Sequence, residues 1–206
     1  MKRLETITKY IGETDIVADI GCDHGYLLQM AIKNKNIKKG YAIDNKQGPL
    51  NSAKNNLDKF DNVDFILSDG LKNVNNLDIN CVVIAGMGGM LINSIINDSI
   101  DKFKRINKLI LCPNRNVDKV RLFLVENGFK IIDEDIVFED GKYYELIIAT
   151  IGEQKLSLNE MFFGPILLEK KSNIFINKWK EYYYKIKLIN SKEKEIKLIE
   201  EVLNEN

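Results

Sequence analysis

The sequence predicts an open, mostly parallel α/β sheet with a helical, coiled-coil-like extension at its C-terminal end. Three observations carry that expectation. A short apolar run, Ile16 to Ile20, enters the turn Gly21-Cys22-Asp23-His24-Gly25, and a helical pattern follows at once, as in the first unit of a doubly wound sheet. Four more short apolar runs alternate with helical segments as far as Cys112, the rhythm of strands joined by crossover helices. Beyond Gly164-Pro165 the chain has no Gly or Pro and is rich in Lys and Glu. We therefore expect a Rossmann-like domain over residues 1–152 and a helical extension over 153–206.

In chain order, Leu4, Ile7 and Ile11 lie at helical spacing and Gly12 ends that helix. Strand 16–20 leads into a helix from about Gly25 to Lys33, and Asn34 to Lys39 is a polar loop. Gly40 to Asp44 is the second strand. Gly48-Pro49 opens a helix that runs to about Phe60, proline being suited to a first helical turn. Val63 to Leu67 is the third strand, ending in Ser68-Asp69-Gly70. Cys81 to Ala85 is apolar throughout and reads as a central strand buried on both faces. Gly86-Met87-Gly88-Gly89 follows it, then a helix from Met90 to about Asn97. Lys108 to Cys112, ended by Pro113-Asn114, is the fifth strand, and the helix Val117 to Asn127 stops at Gly128. Phe129 to Phe138 and Tyr143 to Ile151 flank an Asp140-Gly141 turn and predict an antiparallel hairpin.

In the extension, Phe175, Trp179, Tyr182, Ile186 and Ile189 follow a 4-3-4-3 spacing, the seam of a coiled coil. Ile196, Ile199 and Leu203 form a second stripe. Two helices turning at Asn190-Ser191 satisfy this pattern; so does one continuous helix.

The 206 residues are 45% hydrophobic and carry 30 basic against 30 acidic side chains, a composition that suits a globular protein with a real core. No run approaches the ~20 apolar residues of a membrane span, and Met1-Lys2-Arg3-Leu4-Glu5 lacks a signal peptide's apolar region. Cys22, Cys81 and Cys112 have no metal-ligand spacing and read as free thiols of a cytoplasmic protein, with no metal expected. Zero net charge leaves any polyanion site to local patches.

The chemistry centres on the first glycine turn. A dinucleotide fingerprint needs G-x-G-x-x-G so that backbone can approach a pyrophosphate. Here Asp23 occupies the second glycine's place and Asp19 precedes the turn. Two carboxylates repel phosphate and suit a ligand bearing cations, such as the sulfonium and ammonium of S-adenosylmethionine; the bland alternative is a structural turn with solvated acids. The strand-to-helix turn also offers backbone N–H groups to a ligand. Asp44, about twenty residues on, stands where an acid accepts the ribose hydroxyls of a bound nucleoside. Asp69, with Gly70, is placed to accept from the adenine's amine. The glycines at 86, 88 and 89 let backbone approach a flat or charged group, or merely make a tight turn. The hairpin agrees with this reading, because class I methyltransferase sheets finish with an antiparallel strand. The expected fold class is therefore a class I S-adenosylmethionine-dependent methyltransferase.

From Lys170 to Lys187 six lysines face one glutamate, with aromatics interleaved. Lys170, Lys171, Lys178 and Lys180 are candidates to grip a nucleic-acid backbone, while Trp179 and Tyr182 to Tyr184 either stack on bases or fill the helical seam.

The stretches Val17 to Leu27, Lys46-Gln47-Gly48-Pro49, Val83 to Gly89, Pro113-Asn114 and Asp140 to Glu145 together resemble the TrmK family, bacterial tRNA (adenine-22-N1)-methyltransferases, over the whole chain. Cys22 stands where serine is common there, Asp44 where a longer acid often appears, and the C-terminal helices are short for the family. The resemblance implies S-adenosylmethionine as cofactor, bound by Asp19, Gly21, Asp23, Asp44, Asp69, Gly70 and Gly86. It implies tRNA as substrate, with N1 of an unpaired or flipped adenine attacking the methyl group. Tyr26 is then the candidate stacking partner for the base, and Met87, Gly88, Pro113 and Asn114 frame it. Asp23 holds the methionine ammonium or steadies the methylated base's charge; His24, the only histidine, either moves a proton or supports the turn. No Asn/Asp-Pro-Pro-Tyr/Phe sequence follows the fourth strand, which argues against methylation of the exocyclic amine.

Overall fold

The computed structural model describes residues 1–35, 37–75, 78–189 and 192–204. One seven-stranded sheet organises the chain, in the order β3-β2-β1-β4-β5-β7-β6. β1 (Ile16–Ile20), β2 (Lys39–Asp44), β3 (Val63–Leu67), β4 (Cys81–Ala85) and β5 (Lys108–Cys112) run parallel. β6 (Phe129–Glu139) and β7 (Lys142–Ile151) form the expected hairpin, and β7 inserts antiparallel between β5 and β6. Its turn is Asp140-Gly141, with φ of +50° and +74°, the left-handed pair that matches the twist of adjoining strands. A bulge between Ile131 and Asp133 shifts the pairing register and leaves Ile132 exposed.

Among the described residues, six helices before the last two strands cover both faces of the sheet. On one face α1 (Lys2–Lys9), α2 (Tyr26–Lys35) and α3 (Gln47–Leu57) bury Ile7, Leu28 and Leu57 against Val17, Ala42 and Val83. On the other, α4 (Gly89–Asn97), the short α5 (Ile100–Phe103) and α6 (Val117–Glu126) bury Ile92, Phe103 and Leu124 against Ala18, Ile84 and Leu111. Alternate residues of β1 thus feed opposite cores, as the pleat requires. β4 is buried along Cys81 to Ile84, as its continuous apolar run implies.

The extension contains two short helices that carry no long periodic signal, α7 (Leu158–Phe163) and α8 (Pro165–Lys170), then α9 (Asn173–Leu188) and α10 (Glu193–Asn204). A Ser157–Glu160 capping box starts α7. Tyr182 and Tyr183 of α9 donate to Glu195 and Glu200 of α10 at 2.6 and 2.8 Å, so the extension is a two-helix hairpin. Its expected turn, Asn190-Ser191, lies outside the described residues. A third core of Phe163, Leu167, Phe175, Trp179, Ile186, Ile199 and Val202 packs on Ile136 of β6. Ile189, placed in the seam by spacing, is 64% exposed, because the seam runs out with the last turn of α9.

Four charged side chains pin this extension to the sheet. Arg121 of α6, wholly buried, donates to Glu134 at 2.7 Å and Glu145 at 2.5 Å. It also donates to the carbonyls of Met161 and Phe162 at 3.3 Å each, and Glu134 accepts from Ile166 N–H at 3.0 Å. Lys178 completes the set by pairing with Glu145. Gly164 sits in the centre with φ +94°, and a Cβ there would strike Glu134 and Arg121. Burial pulls the Glu145 carboxyl upward, but Lys178 and Arg121 outweigh it and hold the group below its usual range.

Candidate active site

The carboxyl ends of β1, β2 and β4 open into a cleft of about 600 Å³, within the range of nucleoside-sized pockets. Asp19, Gly21, Asp23, His24, Tyr26, Asp44, Gly86, Met87 and Asn114 all line it. Chain topology explains the convergence: β1 lies between β2 and β4, where connections leave the sheet in opposite directions and a crevice must open.

The turn after β1 is tightly built. Gly21 and Cys22 N–H both donate to the Ile43 carbonyl, at 2.8 and 3.1 Å, and Gly25 N–H donates to the Cys22 carbonyl at 2.7 Å. The sequence suggested that these amides face a ligand; the structure shows them satisfied by β2 and by the turn itself. Carboxylates remain the turn's most strongly charged groups. Gly21 takes φ +77°, and a side chain there would collide with the Met87 methyl group. Asp23 also adopts a left-handed conformation, φ +48°, and is open to solvent. Asn56 of α3 donates to the His24 carbonyl at 3.0 Å, anchoring the loop.

Asp19 is 5% exposed. Burial, then the charges of Asp44 and Asp23, push its carboxyl up to about 7. The same burial and acids drive the Cys22 thiol far above its ordinary range, which makes it a poor nucleophile. Asp44 accepts from Lys46 N–H at 2.9 Å, fixing the bend that follows β2. His24 Nε2 lies 3.7 Å from Asp23 Oδ1, and its ring is 5.6 Å from that of Tyr26, tilted by 30°. Tyr26 is 44% exposed at the start of α2, a large flat ring open to the cleft.

The loops after β4 and β5 are tied together. Asn114 Nδ2 donates to the Gly86 carbonyl at 2.6 Å, Asn114 N–H to the Met87 carbonyl at 2.8 Å, and Gly89 N–H to the Arg115 carbonyl at 2.9 Å. Gly89 is required by that contact, since a Cβ would meet backbone oxygens of Arg115 and Asn116. A second groove of about 910 Å³ continues from the cleft past Arg3, Asn114, Arg115, Lys142 and Tyr144 to Lys178 and Lys185 of α9.

Some expected residues lie elsewhere. Asp69 pairs with Lys72 at 2.6 Å, and Gly70 packs on Ile95; neither is among the residues that line the cleft. Gly88 packs against Arg115 outside it, and Pro113 lines a hollow beside Trp179. Lys170 is held by Asp133 at 2.7 Å and by the Glu134 carbonyl, and Lys178 by Glu145, so two of the four candidate grip lysines serve the fold. Lys171 donates to the Val202 carbonyl, and Lys180 lines a separate hollow with Tyr184. Trp179 is 5% exposed and belongs to the core. Sequence reasoning gave no site role to Asn45, Lys46 or Pro49, which border the cleft, although Lys46 and Pro49 belong to a stretch that carries the family resemblance and all three lie close to Asp44. Met1, Arg3 and Leu4 also line it, and no local pattern announces them.

Three carboxylates in a nucleoside-sized cleft, at the crevice of a sheet ending in an inserted antiparallel strand, define a class I S-adenosylmethionine-dependent methyltransferase. The donor set fits that cofactor: Asp19, Asp23 and Asp44 suit a ligand with cations and a ribose, and the Gly21, Cys22 and Gly25 amides are already bonded within the protein. A family model described as tRNA (adenine(22)-N(1))-methyltransferase, TrmK, matches residues 17–206. The Bacillus subtilis (strain 168) enzyme of that description is 35% identical over 187 residues, 86% of this chain and 79% of the relative. The chain belongs to the TrmK family of tRNA (adenine(22)-N1)-methyltransferases. A Streptococcus pneumoniae structure in complex with S-adenosyl-L-methionine superposes with a TM-score of 0.91 at 32% identity, covering 98% of this chain and 99% of that one. M. capricolum TrmK in complex with S-adenosyl-homocysteine gives 0.81 at 30% identity, with 99% and 94% covered. Among the described residues no helix is long and apolar enough to cross a membrane, and no group of acids, histidines or cysteines is arranged to hold a metal ion.

Proposed function

We propose that this cytoplasmic enzyme methylates N1 of adenine 22 in tRNA by positioning, with residues 1–152 holding the reacting groups and residues 153–206 holding the RNA. When bound, S-adenosylmethionine supplies an electrophilic methyl group. Asp44 accepts the ribose hydroxyls, and Asp19 with Asp23 receives the cationic end. The observation that carries this reading is the convergence of Asp19, Asp23, Asp44 and Tyr26 on one cleft.

Adenine N1 carries its own lone pair, so the residues around it need not remove a proton before attack. Their work is to hold N1 in line with the methyl group, where orientation alone can supply several kcal/mol of the barrier (~7–11 at best). Tyr26 stacks on the flipped base. The tied loops at Gly86-Met87 and Pro113-Asn114 present backbone to its edge. Asp23 steadies the positive charge that methylation leaves on the ring, and His24 beside it supports the turn or takes a proton from the exocyclic amine. Arg115, Lys142 and Lys185 along the adjoining groove meet the phosphates.

Reverse transcription of unmodified tRNA treated with enzyme and cofactor tests the reading. A methyl on N1 blocks pairing, so the expected result is a new stop at adenine 22. Full-length product under conditions where the cofactor binds would refute it.

A further inference from the structure

A hollow of about 400 Å³ lies where the first turn of α6 meets α9. It shares Arg115, Tyr143 and Tyr182 with the basic groove, and Asn114 borders hollow, groove and cofactor cleft alike.

The polar groups of this hollow are out of balance. Its acids are already partnered, Asp118 with Lys119 at 3.6 Å and Glu145 with Arg121 and Lys178. Three kinds of donor are not. Trp179 is 5% exposed, and its buried Nε1–H has no hydrogen-bond partner. Among the described residues the Arg115 guanidinium has no carboxylate partner. At the start of α6, Asn116 takes φ +57° and its side chain makes no cap bond. The leading N–H groups of this ten-residue helix therefore receive no cap at its positive end.

Unmet donors call for anionic or carbonyl oxygens, and a helix N-terminus beside an arginine suits a phosphate. The rest of the lining is aromatic. Tyr143 and Tyr182 donate their hydroxyls to Glu181 and Glu195, at 2.7 and 2.6 Å, and their rings join those of Phe162 and Trp179 around the hollow. Such a lining accepts a flat base. One nucleotide offers both chemistries, and the volume lies within the ~300–1,000 Å³ of small-ligand sites. Continuity with the groove assigned above to the RNA backbone makes that nucleotide one of the tRNA's own.

We propose that this hollow seats a second nucleotide of the tRNA, distinct from the methylated adenosine. Its phosphate lies on Arg115 and the first turn of α6, and its base lies against Trp179 and the neighbouring rings. This rests on the tRNA reading above and adds a second point of grip, which fixes the register of the substrate.

Trp179 is the only tryptophan in the chain, so its emission reports on the hollow directly. In the full-length protein it should fall saturably as unmodified tRNA is added, and stay constant with S-adenosylmethionine alone. Asn116→Asp keeps a residue type that caps helices and tolerates the left-handed conformation, while placing a carboxylate against the phosphate. It should weaken tRNA binding about 10-fold and reduce the slope of log affinity against log salt by about one. Its melting temperature should not fall, and its affinity for S-adenosylmethionine should stay within about twofold. Trp179→Phe, which keeps a ring and removes the donor, should weaken tRNA about 3- to 10-fold; if that variant does not fold, Asn116→Asp decides. The proposal is overturned if tRNA binds without changing Trp179 emission, or if Asn116→Asp leaves both affinity and salt slope unchanged. Quenching by adenosine monophosphate but not by tRNA would also overturn it, placing a free nucleotide in the hollow. These readouts are of binding, so a chain that passes them but gives no stop at adenine 22 refutes the methylation target and supports the seat.

Discussion

Arg121 Nε donates to Glu134 Oε1 across 2.7 Å with neither side chain reaching solvent. That bond joins α6 to β6 and, through Glu134 and the carbonyls of Met161 and Phe162, clamps the α7–α8 corner on which the helical hairpin stands. The four side chains Arg121, Lys178, Glu134 and Glu145 balance in charge, so the cluster is neutral only while it is whole.

Arg121→Met should therefore destabilise the protein by about 3–5 kcal/mol, the usual cost of leaving a buried charge without its partner. Chemical denaturation measures this. A loss under about 1 kcal/mol would mean that Glu134 and Glu145 simply take up protons and that the network is dispensable.

The raised Asp19 carboxyl couples the cofactor site to pH. The folded chain holds this proton up to about 7, whereas an unfolded aspartate releases it near 4 (about 3.9). Between those values the native state binds more protons than the unfolded one, so ligand-free stability falls as pH rises through that window and levels off above it. A cationic ligand prefers the carboxylate, so cofactor affinity should climb over the same interval and binding at pH 6 should release a proton. Titrations in two buffers of different ionisation heat read the proton directly. Asp19→Asn should stabilise the ligand-free protein at pH 8 and flatten both profiles; an unchanged affinity profile would contradict the assignment.

Tyr26→Ala should lower kcat on tRNA by about 10- to 100-fold, the worth of one base–aromatic stack, with cofactor affinity changed less than about twofold. Tyr26→Phe should retain most of the rate, since stacking needs the ring and not the hydroxyl. Parallel loss of cofactor affinity would instead make Tyr26 part of the cofactor wall.

Within the extension, the aromatics divide by burial. Trp179 touches Phe162 and Phe163 with ring centroids 5.0 and 4.7 Å away, and Trp179→Ala should cost about 3–5 kcal/mol of stability. Tyr184 is 64% exposed, and Tyr184→Ala should stay within about 0.5 kcal/mol of the parent. Thermal denaturation of the two variants separates core from surface, and near-equal melting temperatures would show the seam to be misassigned.

The strands, the Asp140-Gly141 hairpin and the acidic turn were all legible in the sequence. Each rests on neighbours in the chain: apolar residues at a fixed period, glycine where φ is positive, an acid where a glycine would admit phosphate. The carboxyl ends of β1, β2 and β4 followed as well, because parallel topology brings them together whatever fills the loops. Asp69 shows where that logic stops. It occupies the corresponding strand end one position further out, but its side chain pairs with Lys72 and does not line the cleft.

What sequence alone determined is which chemistry the cleft can hold, since charge and backbone permission are properties of the residues themselves. Only the tertiary structure decided which cations stay available and which are consumed by the fold. Lys170 and Lys178 read as a basic strip and prove to be paired within the fold, while Arg3 reads as an ordinary N-terminal residue and lines the cleft. The reason is distance along the chain: whether a charge is paired depends on residues such as Glu145 and Tyr144, far away in sequence and adjacent only after the sheet has formed.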